Sequence, residues 1–154
     1  MTRFAAVVLV DAEGRLLMQE RDEHAPIDPE KWGFCGGHLE DGEDFLSGAV
    51  RELEEETGIA PDMLDTPLEP AGEYDVFHHH TGTDDVMRLF AACCQLTDAD
   101  VECHEGRRIV FVDAERARDL DLTAAARVAL PAFLASERYA EWAAGEGGNH
   151  AARL

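Results

Sequence analysis

Three glutamates of the segment 37–59 have the spacing that places side chains on one face of an α-helix. They are Glu52, Glu55 and Glu56, separated by three residues and then one. Like charges on one face repel one another, and near the C-terminal end of a helix the macrodipole also disfavours anions. A divalent cation such as Mg²⁺ would offset both effects, because it binds carboxylate and phosphate oxygens together. The alternative is an acidic helix face that is simply solvated.

A helix that positions these glutamates is predicted from Asp44 to about Thr57. Its apolar residues recur at helical spacing, and they are Phe45, Leu46, Ala49, Val50 and Leu53. An acidic residue at the start suits the positive end of the helix dipole. Gly58 stands where a left-handed glycine commonly ends a helix. The pattern therefore predicts both ends of the helix.

The loop before this helix is rich in glycine. Gly36 and Gly37 allow the backbone to turn sharply or to approach a ligand closely. Glu43 and Arg51 are eight residues apart across the junction of loop and helix, and they can pair to hold the two together. The loop and the helix are therefore expected to form one rigid platform.

The segment 37–59 resembles the Nudix box, the signature of the Nudix hydrolases. In that pattern a glycine is followed after five residues by a glutamate. After seven more come Arg-Glu, an aliphatic residue, any residue, Glu-Glu, any residue, glycine and an aliphatic residue. Every fixed position is filled, by Gly37, Glu43, Arg51, Glu52, Leu53, Glu55, Glu56, Gly58 and Ile59. One departure lies outside the strict pattern, where Cys35 replaces the proline of many relatives.

The resemblance implies an α+β fold, the Nudix α/β/α sandwich, in which a mixed β-sheet lies between helices. The length of 154 residues fits one domain, which we assign to residues 1–142, and residues 143–154 are predicted to be a flexible tail. Residue patterns predict a hairpin at 4–20, a second hairpin, a further strand and a second helix, which Pro131 either kinks or splits in two. The last three are placed at Glu73–His80 with Val86–Leu96, at Arg108–Val112 and at Thr123–Ser136.

The resemblance also implies an activity, the hydrolysis of a nucleoside diphosphate linked to another moiety, with Mg²⁺ or Mn²⁺ as the cofactor. The metal-ligand positions of the box are occupied by Glu52, Glu55 and Glu56. Glu43 and Arg51 fall on the supporting pair, from which Glu43 can also reach a metal through water. The backbone of Gly37 falls on a further metal or phosphate contact.

The general base that removes a proton from the attacking water can belong to the box or to another loop. Within the box the candidates are Glu55 and Glu56. Outside it they are Glu102 and Glu105, which precede the predicted strand Arg108–Val112. Either loop acid could instead be a solvated surface residue.

Six further residues are candidates for substrate contact, and they are Arg21, Trp32, Phe34, His78, His80 and Arg88. Arginine suits phosphate groups, and the aromatic rings can stack on a base. Alternation along a strand places His78 and His80 on one face and His79 on the other, which argues against a three-histidine metal cage. The structural alternatives are surface arginines, core aromatic residues and a histidine-rich hairpin tip.

The net charge of −20 opposes binding to nucleic-acid polymers and to anionic membranes. Taken alone it would also exclude a polyphosphate substrate. That exclusion fails if the box binds metal, because −7 of the charge lies in residues 37–59 and cations arriving with the substrate would neutralise it. No apolar run is long enough for a membrane span and no signal peptide is recognisable, so we expect a cytoplasmic protein with four reduced cysteines.

Several functions remain open at this point. The leading prediction is a MutT-like pyrophosphohydrolase that acts on nucleoside triphosphates. The alternative within enzymes is hydrolysis of ADP-ribose or another nucleotide sugar. A non-catalytic Nudix-fold nucleotide-binding module is disfavoured by the intact box, and an acidic Ca²⁺-buffering protein by the regular spacing of the acids. A homodimer is expected only because many relatives form one.

Overall fold

Seven β-strands form one mixed sheet in the computed structural model, which describes residues 2–78 and 82–145. The strands are β1 (Thr2–Val10), β2 (Leu16–Glu20), β3 (Trp32–Gly33), β4 (Cys35–His38), β5 (Glu69–His78), β6 (Thr83–Cys93) and β7 (Arg108–Val112). The helices are α1 (Phe45–Thr57), α2 (Ala114–Asp119), α3 (Ala124–Leu134) and α4 (Glu137–Ala143). Helix α1 packs on β1 and β4, whereas α3 packs mainly on β5. This arrangement confirms the predicted α+β sandwich.

Strand β1 changes its antiparallel partner along its length. Residues 4–7 pair with β4, whereas the ladder to β2 is the single pair Val10↔Leu16. On its other side β1 runs parallel to β6, which pairs with β5 in turn. Strand β2 pairs instead with β3 and β7. The sheet therefore divides between β2 and β4, beside the segment 37–59.

Two hydrophobic cores lie on opposite faces of the sheet. Ala6, Val8 and Val10 of β1 belong to the core beneath α3, and the alternate residues of the strand belong to the core beneath α1. This double burial explains why β1 is apolar at almost every position rather than at every second one. Cys93 and Cys94 lie in different cores, as alternation along a strand requires.

Helix α1 begins and ends where the sequence predicts. The carboxylate of Asp44 accepts a hydrogen bond from the backbone N–H of Ser47 at 2.7 Å and so caps the helix. Gly58 adopts a left-handed φ of 76°, and its N–H donates to the carbonyl of Glu54. The N-terminal cap and the C-terminal glycine therefore set the position of the acidic face.

The C-terminal part is more divided than the sequence patterns indicate. The predicted helix 123–136 is α3, which contains Pro131 and ends at Leu134, and Ser136 then caps a separate helix α4. Helix α2 was not predicted. The proposed tail begins inside α4, and residues 146–154 lie outside the described residues. In the described ranges no helix is both long and apolar enough to cross a membrane.

Gly36 tests the close packing of β4 on β1. Its φ is +152°, and a Cβ there would overlap the carbonyl oxygen of Ala5 and lie 2.8 Å from Cα of Ala6. We expect Gly36→Ala to lower the free energy of unfolding by about 3 kcal/mol or more, because backbone atoms must move. The measurement is chemical denaturation.

The control is Gly42→Ala, because Gly42 also has a positive φ, of +78°, but a Cβ added there would meet no atom within 4 Å. We expect this control to cost about 1 kcal/mol. Equal losses for the two variants would contradict the packing argument.

Candidate active site

The side chain of Glu56 lies between β2 and β4, where the sheet divides. Its side chain is buried, with Oε1 accepting a hydrogen bond from the backbone N–H of Gly36 at 2.8 Å. From the other side, Nε2 of Gln19 approaches Oε2 at 3.5 Å. Burial, together with the neighbouring carboxyl of Glu105, raises the pKa of Glu56 far above its usual range. The carboxyl group therefore tends to retain its proton unless a cation is present.

The loop 101–107 brings Glu105 to the box. The backbone N–H groups of Glu102 and His104 donate to carbonyls in the last turn of α1, at 3.0 and 2.9 Å. The side chain of Glu105 comes within hydrogen-bond contact of Glu56, and its carbonyl accepts from Nε2 of Gln19 at 3.0 Å. Glu102 instead contacts Nε2 of His104 at 2.8 Å and remains exposed. Of the two predicted loop acids, only Glu105 therefore reaches the site.

Arg51 contacts four other acids of the segment 37–59. Its guanidinium makes two hydrogen bonds to Glu43, of 2.8 and 2.9 Å, as the spacing predicts. It also contacts Glu40, Glu52 and Glu55 at 3.0, 2.8 and 3.2 Å. The hydrogen bonds that Arg51 donates lower the pKa of Glu43 to about 2, and acceptance of these bonds by Glu43 raises the pKa of Arg51. This network ties the loop to the helix.

The donor set fits a divalent cation, although the side chains are not assembled around one. Within residues 2–78 and 82–145 no three Asp, Glu, His or Cys side chains stand close enough to form a metal cage. Glu52 and Glu55 contact Arg51 instead, and a metal would compete for them. Two adjacent carboxyls, those of Glu56 and Glu105, have no basic partner between them, which is the arrangement that a divalent cation would neutralise. Burial also raises the pKa of Glu52.

The backbone of Gly37 lies directly against one of the proposed metal ligands. A Cβ on Gly37 would lie 2.6 Å from the carboxyl carbon of Glu52. The missing side chain therefore leaves room for that carboxylate. This is a local reason for glycine at the position that the resemblance assigns to a metal or phosphate contact.

A cavity of about 490 Å³ opens beside these acids. Gly37, Glu52 and Glu105 line it, together with the loop 22–28 and apolar side chains that include those of Phe4 and Phe34. Its volume is in the range of small-molecule sites. The cavity therefore joins the acidic residues to an aromatic wall.

Of the six candidates for substrate contact, three line the cavity, two do not, and one lies outside the described residues. Arg21, Phe34 and His78 line the cavity, and NH1 of Arg21 donates to the carbonyl of Ile27 at 3.1 Å. Trp32 is buried beneath the guanidinium of Arg108, 4.9 Å from its ring centroid, and is not a lining residue.

The remaining two candidates for substrate contact are Arg88 and His80. The guanidinium of Arg88 stacks over Phe45 at 4.4 Å and pairs with Glu73 at 2.7 Å, outside the cavity. His80 lies outside the described residues.

Two further residues near the site, Gln19 and Asp85, were not predicted from the sequence. Gln19 was detectable as a polar residue in an apolar strand, whereas Asp85 resembled a residue of the polar turn.

The protonation of Glu56 predicts a pH dependence in the metal-free protein. The unfolded chain loses this proton near the ordinary glutamate pKa of about 4.3, whereas the folded chain retains it to higher pH. The free energy of unfolding should therefore fall by roughly 1 kcal/mol per pH unit between about pH 5 and 8 because of this group. Denaturation in EDTA across this range measures the slope.

The Gln variant at this position isolates the contribution of Glu56. We expect Glu56→Gln to make the slope less negative, because the amide does not titrate. Glu54→Gln, a change at an exposed residue of the same helix, should leave the wild-type slope. Identical slopes in the wild type and Glu56→Gln would contradict the assigned protonation.

Comparison with known proteins supports the assignment of the family. The NUDIX domain model matches residues 1–133. The chain is 27% identical to the CTP pyrophosphohydrolase of Escherichia coli over 127 residues, which cover 82% of this chain and 87% of that protein. A local match to the RNA pyrophosphohydrolase of Dinoroseobacter shibae has 41% identity over 64 residues, 41% of this chain and 38% of that protein.

A solved structure supports the fold independently. The MutT protein from Methanosarcina mazei Go1 superposes with a TM-score of 0.72 and 22% identity, covering 86% of this chain and 91% of that chain. The family model extends over most of the sequence and includes the whole segment 37–59. The chain therefore belongs to the NUDIX family and is a Nudix hydrolase, an enzyme that acts on phosphoric anhydride bonds.

Proposed function

We propose that this enzyme hydrolyses nucleoside triphosphates in the presence of Mg²⁺ or Mn²⁺. The observation that carries the proposal is the cavity, which is lined both by Glu52 and Glu105 and by the aromatic residues Phe4 and Phe34. Acidic groups can hold the cations that accompany the phosphates, and the aromatic side chains suit a base. A nucleotide bound across the cavity would meet both.

The residues of the box would have separate roles. Glu52, Glu55 and Glu56, with the backbone of Gly37, would hold the metal. When bound, the cation would screen the phosphate charges and lower the pKa of a water molecule. Release of Glu52 and Glu55 from Arg51 would leave the Arg51–Glu43 bond to fix the loop.

Glu105 is the proposed general base. It contacts Glu56 and lines the cavity, whereas Glu102 contacts His104 and does not. The carboxylate of Glu105 would accept the proton of the attacking water.

The choice of triphosphates follows from a relative that this chain matches over 87% of its length, a CTP pyrophosphohydrolase. The relative named for RNA is matched only over 38% of its length. The net charge of −20 also opposes binding of a long polyanion. A free nucleotide is therefore the proposed substrate.

A substrate panel tests this function. Purified protein with Mg²⁺ should convert nucleoside triphosphates to monophosphate and pyrophosphate, and EDTA should abolish the reaction, because the acids alone repel the phosphates. ADP-ribose and 5′-triphosphorylated RNA are included in the panel. Faster turnover of either one than of any free triphosphate, or full activity in EDTA, would overturn the proposal.

Paired glutamine variants test the assigned residues. Glu56→Gln and Glu105→Gln should each lower kcat by about 100-fold or more, because a metal ligand and the general base are lost. Glu54→Gln and Glu102→Gln are the matched controls, one on the same helix and one in the same loop. Thermal unfolding should show that all four variants fold. Equal effects at Glu102 and Glu105 would contradict the assignment of the base.

A further inference from the structure

His78 and Asp85 form a buried pair in the cavity region, outside the box. Their side chains are 7% and 3% exposed, and Nε2 of His78 lies 3.0 Å from Oδ2 of Asp85. His78 lines the cavity. By strand alternation it shares a sheet face with Val76, and Asp85 shares that face with Met87. Both apolar residues belong to the core beneath α3, so the pair lies on the sheet face opposite α1.

The second ring nitrogen of His78 lacks a partner. Within the parts of the chain that the structure describes, Nδ1 is buried and makes no hydrogen bond. Buried polar atoms are nearly always paired, because an unpaired one loses its bond to water and gains nothing in return. An unpartnered nitrogen on a residue that lines a cavity is therefore a candidate contact for a ligand.

Asp85 determines which ring nitrogen of the neutral imidazole carries the proton. Its Oδ1 accepts hydrogen bonds from the backbone N–H and the hydroxyl of Thr2. Burial alone would raise the pKa of Asp85, but the hydrogen bonds from Thr2, together with the nearby His78 and His38, outweigh it, and the pKa is lowered. An ionised carboxylate only accepts, so Nε2 of His78 must donate. Nδ1 then carries a lone pair and acts as an acceptor.

Two neighbours of the pair indicate which part of a nucleotide would meet this acceptor. The ring of Phe4 is tilted against His78, with centroids 6.1 Å apart, and Phe4 and Phe34 both line the cavity. Aromatic side chains suit a base more than a phosphate. The lone pair on Nδ1 of His78 would also repel a phosphate oxygen. His38 Nε2 is 4.0 Å from Oδ2 of Asp85, so the contact to His78 is the shorter of the two.

We propose that Nδ1 of His78 accepts a hydrogen bond from an amino group of the substrate base, and that Asp85 is the positioning residue that holds the ring in this tautomer. The proposal rests on the nucleotide function proposed above. It predicts selection for a base with an amino group, such as cytosine, over one with a carbonyl at that position, such as uracil. With uracil, two acceptors would face each other.

The ratio of kcat/KM for CTP to that for UTP tests the proposal. We expect the wild type to prefer CTP by about tenfold or more, because UTP leaves buried acceptors unpaired. His78→Phe should bring the ratio towards one, mainly by lowering the value for CTP. A ratio near one in the wild type, or an unchanged ratio in His78→Phe, would overturn the proposal.

Asp85→Asn should reverse the preference between CTP and UTP, whereas His78→Phe should only abolish it. The new amide can donate to Nε2, which moves the ring proton to Nδ1 and turns the acceptor into a donor. We expect the preference to shift towards UTP. Asp84→Asn, the same change at the exposed neighbouring residue, should keep the wild-type ratio. A merely structural role of Asp85 would lower both rates together, and that result would overturn its assignment.

Two further measurements distinguish failure of the His78 contact from failure of the proposed nucleotide function. The same ratio for dCTP and dUTP should match that for the ribonucleotides, because the bases are unchanged, whereas loss of the preference would show that the base contact alone does not set it and would overturn the proposal. Calorimetric binding of CMP and UMP needs no hydrolysis. Tighter binding of CMP without turnover of any triphosphate would support the His78 contact while rejecting the proposed function. Turnover without discrimination would do the reverse.

Discussion

Burial of the Glu56 carboxyl between two strands is the constraint on which the site depends. The group is removed from water, and the N–H of Gly36 and the amide of Gln19 contact its two oxygens. An unpaired charge in such a place costs several kcal/mol, so the group must hold a proton or meet a cation. Stability, pH and metal binding are thereby linked through one residue. A sheet that closed fully between β2 and β4 would have no place for it.

The acids of the site are held in two different ways. Arg51 neutralises those that face the loop, and its paired bonds to Glu43 tie that loop to the helix. Glu56 and Glu105 form a second group with no basic residue between them. The first group gives rigidity, and the second supplies the unsatisfied charge that favours a divalent cation. In the proposed function, a strongly acidic protein would therefore act on a polyanion because the metal would neutralise both.

Features that depend on residues close together in the sequence were predictable, whereas features that depend on distant residues were not. Helix α1 was predictable because a capping aspartate, regular apolar spacing and Gly58 all act within a few residues. A split of the second helix was raised at Pro131, but the helix continues through that residue, and the division comes after Leu134, where Ser136 caps the new helix. Trp32 and Arg88 had suitable chemistry for substrate contact. Their positions depend on Arg108 and on Phe45, residues far away in the sequence.

The sequence by itself determined the family, the helix and the spacing of its acids, because these depend on local periodicity and on residue type. Only the tertiary structure decided which acid outside the box reaches Glu56, since Glu102 and Glu105 are equivalent until the loop is anchored on the end of α1. The pairing of His78 with Asp85 was likewise invisible, because it arises across two strands. Burial and direction of a side chain are properties of the packed sheet, and no local pattern encodes them.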